Sequence, residues 1–455
     1  MSPDEEIYRN NGARPLVQAL CRDLLARNVN LDVHPADEML GFFHHTQGND
    51  LDSALAIYFD SGRRIWAAER QVLSWGFGPP PWSFRLLDFA SGYGRVTRHL
   101  FHDLSPENVW VSDIYAAGVA FQERSFGVHG IVSTTDPESF PADQGFNAIL
   151  VSSLFTHLPE ARFLAWLRRL GELLLPGGLL LFSVHDLSLL RDPAADAASG
   201  MVFREVSESS SLEKNEYGTC WVSEAFVRRA VAEAVGPWPV LRISRGLASF
   251  QDLYVIVKQA GVEHHFPNLK LEREADGFLE SCHLVGNRAL RLAGWAADRV
   301  EGEPPREVRV RIDGAEVASC RDLEPRPAVA DRTFSADPVP AVGWRATFEI
   351  PPGADPVSAR LTVHTVTAAG EEKLLYAGSV ESACFRSAQT DAVLLRGELK
   401  AREEELDRRD LLLAQRRAEI EALERRMEAM RASRFWKIRD LWFRFKRRAG
   451  LTAEE

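Results

Sequence analysis

Leu86-Leu-Asp-Phe-Ala-Ser-Gly-Tyr-Gly-Arg-Val-Thr-Arg-His-Leu100 decides how this chain reads. An apolar run of strand length reaches Asp88, two glycines follow at alternate positions, and a helical pattern starts near Arg95. Gly92 and Gly94 carry no side chain, so the backbone there is free to take positive φ and to approach a ligand closely. Amides at the start of the next helix suit a carboxylate. Asp88, four residues before Gly92, suits an ammonium. A ligand with a zwitterionic amino-acid end presents both charges. A dinucleotide loop is the competing reading, but Thr97 stands at its third glycine position, and Asp88 would set an anion beside the pyrophosphate.

Downstream, Val109-Trp-Val-Ser-Asp-Ile-Tyr115 puts Asp113 at the carboxyl end of a second strand, 19 residues after Gly94. A carboxylate there accepts two ribose hydroxyls, with Ile114 packed on adenine; a helix N-cap aspartate is the plainer alternative. The third strand ends near Thr134 and Asp136, candidates for the adenine edge, although Asp136-Pro137 also makes a turn. Apolar runs at 84–89, 108–112, 130–133, 148–152, 179–184, 240–243 and 253–257 alternate with helical patterns, including a helix over 162–174 stopped by Pro176. Such alternation predicts an α/β domain over 81–260: a Rossmann-like, doubly wound, seven-stranded sheet, read as parallel. Residues 1–80 read as a helical cap or lid, with helices over 15–26 and 52–75.

Asp88-Phe-Ala-Ser-Gly-Tyr-Gly-Arg-Val-Thr-Arg-His-Leu, Ser153-Leu-Phe-Thr-His-Leu-Pro-Glu and Leu175-Pro-Gly-Gly-Leu-Leu-Leu together resemble class I S-adenosylmethionine-dependent methyltransferases, nearest the bacterial type 11 or 12. The resemblance covers roughly residues 50–260. It implies S-adenosyl-L-methionine as cofactor, held by Asp88, Ala90, Gly92, Gly94, Asp113, Ile114, Thr134 and Ser152. Similar proteins carry Gly-Cys-Gly where this chain has Ala90-Ser-Gly. Both replacements are small, and the bulkier Tyr93 has room to point away from the cradle.

Methyl transfer needs alignment more than acid–base power, though a hydroxyl acceptor gains from a base. Ligands of open α/β sheets bind at the carboxyl ends of strands, where His157 and His185 fall. His185, which ends the central strand, is the expected base or acceptor-orienting group; a structural role at loop corners is the alternative for both histidines. His44-His45 lies in the lid and lacks a third partner for a metal, so no metal is expected.

Beyond residue 261 the pattern changes. Residues 276–390 read as a small β-sandwich, with Asp313-Gly314 as the turn of a hairpin in Arg309-Val-Arg-Ile-Asp-Gly-Ala-Glu-Val. Trp295 and Trp344 there are candidates for sugar stacking or, equally, for core packing. Over 391–431 the chain is helical and charged. Leu399, Leu406, Leu413, Ile420 and Met427 recur every seven residues, but Arg402, Arg409 and Arg416 interrupt the second seam of the resulting coiled coil. Residues 432–450 form a basic tail with Phe435, Ile438, Trp442 and Phe445 on one helical face, which suits a membrane surface or a partner helix. The sandwich and tail resemble attachments of bacterial glycan-assembly enzymes.

The 455 residues carry a net charge of −11, which argues against general nucleic-acid binding. The segment 431–448 alone is +7, leaving −18 for the rest. Five scattered cysteines form no CxxC pair, and neither a signal-peptide pattern at Met1-Ser-Pro-Asp-Glu-Glu nor a spanning apolar run is present. The expectation is a cytoplasmic protein, peripheral at the inner membrane face, possessing a homo-oligomer seam. Its expected activity is O-methylation of a sugar of a surface polysaccharide or lipid-linked glycan. The alternatives are a small secondary-metabolite methyltransferase and a non-catalytic scaffold.

Overall fold

The computed structural model describes residues 11–46, 50–190, 199–206, 212–298, 303–326, 341–368, 370 and 372–450. The acidic start Met1-Ser-Pro-Asp-Glu-Glu lies outside them. The chain separates into two units, residues 1–384 and 385–455.

The first unit opens with short helices, Pro15–Leu20, Arg22–Ala26 and Glu38–Thr46, and then the long helix Leu51–Phe77. Asp50 caps that helix by accepting from the amides of Asp52 and Ser53, and Gly78, at φ 83°, ends it. Its strands are β1 (Leu86–Phe89), β2 (Val109–Asp113), β3 (His129–Val132), β4 (Phe146–Val151), β5 (Leu174–Val184), β6 (Met201–Arg204), β7 (Thr219–Val222), β8 (Val240–Leu247) and β9 (Gln251–Val257). Seven of these form one sheet in the order β3-β2-β1-β4-β5-β9-β8, so every apolar run expected as a strand is one. Two details differ from the expectation. The sheet is mixed, because β9 runs antiparallel to both β5 and β8; a short reversal at 247–251 joins β8 to β9, with no crossover helix to make them parallel. The antiparallel pair β6-β7 was not foreseen.

Period-two alternation explains why both faces are covered. Ala148 and Leu150 of β4 pack with Leu86, Leu179, Leu181 and the N-terminal helices in one core, whereas Ile149 and Val151 pack with Leu87, Phe182 and the helices Glu160–Leu173 and Glu224–Ala234 in the other. The long helix crosses the first face closely. A Cβ on Gly76 would lie 2.5 Å from Leu179, and one on Gly62 would lie 2.2 Å from the Arg95 carbonyl.

The second half of this unit is a sandwich of two four-stranded sheets. Its strands are β10 (Asp276–Val285), β11 (Ala289–Ala297), β12 (Glu307–Ile312), β13 (Ala315–Cys320), β14 (Glu324–Pro325), β15 (Ala341–Glu349), β16 (Arg360–Val366) and β17 (Glu372–Ser379). The sheet orders are β10-β11-β15-β14 and β13-β12-β16-β17. The Asp313-Gly314 turn has φ 48° and 83°, as a two-residue hairpin demands. Trp344 lies in the sandwich core with Leu290, Val310 and Val363, and Gly294 leaves room for its ring; sugar stacking is thereby closed to it. The sandwich ends at Ser379 and the following helix, Val380–Ala432, begins ahead of the boundary expected at 391, because Val380 and Ala383 still pack in the sandwich core. The sandwich sits on the N-terminal helices through Arg360 to Asp52 and Ser53 to the Ala377 carbonyl.

In the second unit, the Val380–Ala432 helix runs on to a break at Ser433, whose hydroxyl caps the helix Arg434–Arg448. Leu399, Leu406, Leu413, Ile420 and Met427 are exposed along the first helix, and Phe435, Ile438, Trp442 and Phe445 along the second.

Candidate active site

The loop after β1 is held open from below. Ala90, Gly92 and Gly94 have φ of 60°, 59° and 81°. The two glycines have different reasons for lacking a side chain. A Cβ on Gly94 would come within 2.6 Å of Phe126 and 3.0 Å of Gln122, so Gly94 serves packing against the helix Ala116–Phe126. A Cβ on Gly92 would meet nothing within 4 Å, so Gly92 faces the open side and leaves bare backbone there. The expected helix start near Arg95 is displaced: residues 92–96 are turns and the helix Thr97–Leu100 has four residues. A single turn carries little macrodipole, so loop amides rather than a helix terminus meet the ligand.

Asp113 ends β2 beside this loop. One carboxylate oxygen accepts from the Gly92 amide at 2.7 Å and the other from the Tyr115 amide at 3.0 Å. A carboxylate has about four acceptor positions and the Ile114 amide also acts on this one, so one or two remain for ligand hydroxyls. Ile114 follows directly. Gln122 stitches the loop shut, donating to Ser91 Oγ at 2.8 Å and the Gly92 carbonyl at 3.0 Å. Asp88 is buried and its carboxyl is pushed up to about 7 by burial. Thr97 Oγ1 lies 2.7 Å from both Asp88 Oδ2 and Gln122 Oε1. One hydroxyl proton satisfies one of these acceptors, and a proton on Asp88 supplies the other bond. Thr134 is further out: its hydroxyl bonds the Asp136 carbonyl at 2.6 Å, while Asp136 itself accepts from Ser139, so both shape the turn after β3.

Glu69, on the long helix and outside the motifs, joins the site. Ser152, at the end of β4, donates at 2.7 Å to Glu69 of the long helix. Glu69 is 1% exposed, and its second oxygen has no partner among the described residues. Burial pushes its carboxyl up to about 8. Arg95, bonded to Ser61 at 3.0 Å, is the cation whose charge acts on both Glu69 and Asp88. Over the loop, His34 stacks on Tyr93 at 4.6 Å, and Arg98 ties the Gly94 carbonyl to those of Asn30 and Asp32. The lid is thus anchored to the loop it covers, and Tyr93 turns to the lid as its side chain must if the cradle is to stay clear.

A carboxyl held protonated by burial has a consequence for stability. Between roughly pH 4.5 and 8 Glu69 carries a proton in the folded chain that the unfolded chain has lost, so the fold weakens as pH rises through that window. Glu69→Gln, which cannot ionise, is expected to flatten this part of the dependence. The gap in thermal midpoint between variant and wild type then widens from pH 5 to pH 8; a constant gap would contradict the assignment.

The two histidines separate in the structure. His157 Nδ1 lies 2.7 Å from the Gly218 carbonyl and its ring stacks on Tyr217 at 4.6 Å, so it pins the approach to β7. His185 follows β5. Its ring meets the Cys220 backbone, its Nδ1 is buried, its Nε2 is 3.5 Å from Gln251, and the rings of Phe250 and Trp221 stand 5.3 and 6.0 Å away. Burial pulls its pKa down to about 4, so the imidazole is neutral at pH 7. Gln251 also accepts from Ser153 at 3.1 Å. Two polar links thus meet at the end of β4: Ser152 with Glu69, and Ser153 with Gln251, which in turn lies beside His185. His44 and His45 lie on the lid helix Glu38–Thr46, away from these links.

Residues 18–264 match the family described as methyltransferase domain. The chain is similar to the solved structure of an S-adenosylmethionine-dependent methyltransferase from Clostridium acetobutylicum: 13% identity over 44% of this chain and 93% of that one, TM-score 0.32. It is similar also to a 1,6-didemethyltoxoflavin N1-methyltransferase from Burkholderia thailandensis, with 17% identity, coverage of 49% and 88%, and a TM-score of 0.32. DesVI of Streptomyces venezuelae is a third, with 15% identity, coverage of 43% and 93%, and a TM-score of 0.32. No curated protein matches the chain.

Proposed function

This chain belongs to the methyltransferase-domain family as a class I S-adenosylmethionine-dependent enzyme, and we propose that it methylates a hydroxyl of a sugar in a surface polysaccharide or lipid-linked glycan. The cradle fits the cofactor on three counts. Gly92 leaves open backbone, Asp113 keeps acceptor positions for ribose hydroxyls, and the unpartnered oxygen of Glu69 waits for a donor such as the ammonium of the amino-acid end. When bound, the sulfonium supplies an electrophilic methyl carbon.

The chain's own work is alignment and one proton. His185, neutral at pH 7, accepts the hydroxyl proton of the acceptor at Nε2, the nitrogen beside Gln251, as the new bond forms. Gln251 orients its ring, and Trp221 and Phe250 offer apolar faces to a sugar ring. His157 holds the segment that presents Trp221 and acts as a positioning residue. The observation that carries this reading is a neutral imidazole in an aromatic recess at the ends of the strands that carry the donor cradle. Incubating full-length protein with methyl-labelled cofactor and a panel of glycans, lipid-linked sugars and small phenols tests it. Label in a sugar fraction is expected. Label in phenols alone would transfer the reading to a secondary metabolite, and no cofactor binding by calorimetry would leave a scaffold.

The C-terminal helix supports a location. Arg434–Arg448 presents exposed Phe435, Ile438, Leu441, Trp442 and Phe445 among lysines and arginines, a composition that suits an anionic lipid surface. Among the described residues no helix is long and apolar enough to cross a membrane. Attachment is therefore peripheral in this reading, at the cytoplasmic face, with the exposed heptad residues of the preceding helix available for self-association. Full-length protein is expected to co-sediment with anionic liposomes at low salt and to be released at high salt; equal binding to neutral liposomes would count against it.

A further inference from the structure

On the outer side of the long helix Leu51–Phe77, a cleft of about 410 Å³ opens between that helix, the β8-β9 turn and the segment that leads to the sandwich. Arg27, Arg63, Arg64, Arg70, Arg245 and Arg273 line it, against four carboxylates, Asp23, Asp103, Glu272 and Glu274. The carboxylates are unequally shared. Arg63 holds Glu274 with two hydrogen bonds, at 2.6 and 2.8 Å, and Arg70 holds Asp103 at 2.7 Å. Arg273 bonds backbone carbonyls, those of Ser244 and Arg245, which leaves its charge unneutralised. The Arg64 side chain is 17% exposed, and its contacts are a 3.4 Å bond to Ser249 and Glu274 at 3.8 Å. Six arginines from several chain segments thus converge on a space wider than one carboxylate needs, against five carboxylates when Asp60, which also binds Arg63, is counted.

The wall of this cleft is strained. Arg245, at an irregularity of β8, and Ala248 and Ser249, in the turn that follows, have φ of 47°, 53° and 58°, a backbone state that such residues avoid unless something holds it. On the other side of the same turn, Phe250 and Gln251 reach His185. We propose that this arginine-lined cleft is an anion site, separate from the donor cradle, that takes the phosphate or diphosphate group of a phosphorylated ligand. Guanidinium forks match phosphate oxygens in pairs, and several of them together neutralise a multiply charged group better than they would a single carboxylate. The site stands whether or not the acceptor is a sugar.

Titrating the full chain calorimetrically with inorganic pyrophosphate at low ionic strength tests this. One site is expected, weakened at least tenfold in Arg64→Ala and in Arg245→Ala, with affinity for the methyl donor retained. Ser249→Asp guards against a folding failure, because aspartate tolerates positive φ while placing an anion in the cleft; it too is expected to weaken pyrophosphate at least tenfold. Arg439→Ala, in the C-terminal helix, is expected to leave this binding unchanged. Comparing a nucleoside diphosphate sugar with an isoprenyl diphosphate in neutral detergent micelles identifies the source, since tighter, Arg64-dependent binding of either supports the site. Absence of pyrophosphate binding, or equal binding by wild type and the cleft variants, overturns it.

Discussion

Asp113→Ala is expected to lower affinity for S-adenosylmethionine by about 100-fold or more. In the structure the oxygens of this carboxylate hold the amides of Gly92 and Tyr115 and retain acceptor capacity beside the open backbone of Gly92. Hydrogen bonds to a charged group contribute about 1.5–3 kcal/mol each. Losing those to ribose hydroxyls, at 1.4 kcal/mol per tenfold, reaches that range before any loosening of the loop is added. Asp113→Asn keeps the shape and one acceptor oxygen, so it should recover part of the affinity. Calorimetric titration with the donor measures both variants. Wild-type affinity in Asp113→Ala would remove the donor cradle from this loop.

His185→Ala is the second large effect. Turnover should drop by about 100-fold or more, the usual contribution of a positioned base, while donor affinity holds. The pH profile separates catalysis from mere support. A base works when unprotonated, and burial has pulled this imidazole down to about 4, so wild-type rate should stay level from pH 8 to about 5 and fall only as pH approaches 4. An unburied histidine would lose rate near 6.5 instead. His157→Ala should behave differently: its ring holds the Gly218 carbonyl, so the loss falls on thermal stability and on acceptor KM more than on the proton-transfer step. Retained turnover in His185→Ala, or a rate break near pH 6.5 in the wild type, would rule out the proton-accepting role.

Glu69 affects both experiments, since it bonds Ser152, next to the Ser153 that bonds Gln251 beside His185. If its second oxygen takes the donor's ammonium, donor binding below pH 8 releases a proton, and the heat of binding varies with the ionisation enthalpy of the buffer. This would show that the carboxyl ionises only when a cation arrives.

Local spacing made much of this chain readable. Asp88, Gly92, Gly94 and Asp113 lie within 26 residues, and the conformations that they demand are properties of short peptides: a positive φ, a strand end, a tight turn. The inner strands β1, β2, β4, β5 and β9 were legible because a strand buried on both faces is an uninterrupted apolar run. The Asp313-Gly314 hairpin and the amphipathic tail were legible for the same local reason. The direction of β9 was not, since it depends on what joins the strands rather than on what composes them. Nor did spacing single out Glu69, 83 residues from its partner Ser152, or Gln251, 66 residues from His185, or Arg63, 211 residues from Glu274. A buried glutamate in an amphipathic helix reads as one more solvated charge until the sheet end comes down on it. His157 and His185 look alike in sequence because each follows a strand; only the packed chain shows that one ring is tied to the Gly218 carbonyl and the other stands between Gln251, Phe250 and Trp221. Protonation states and the cleft arise from burial and from charges brought together across long stretches of chain, and neither quantity exists before the chain has folded.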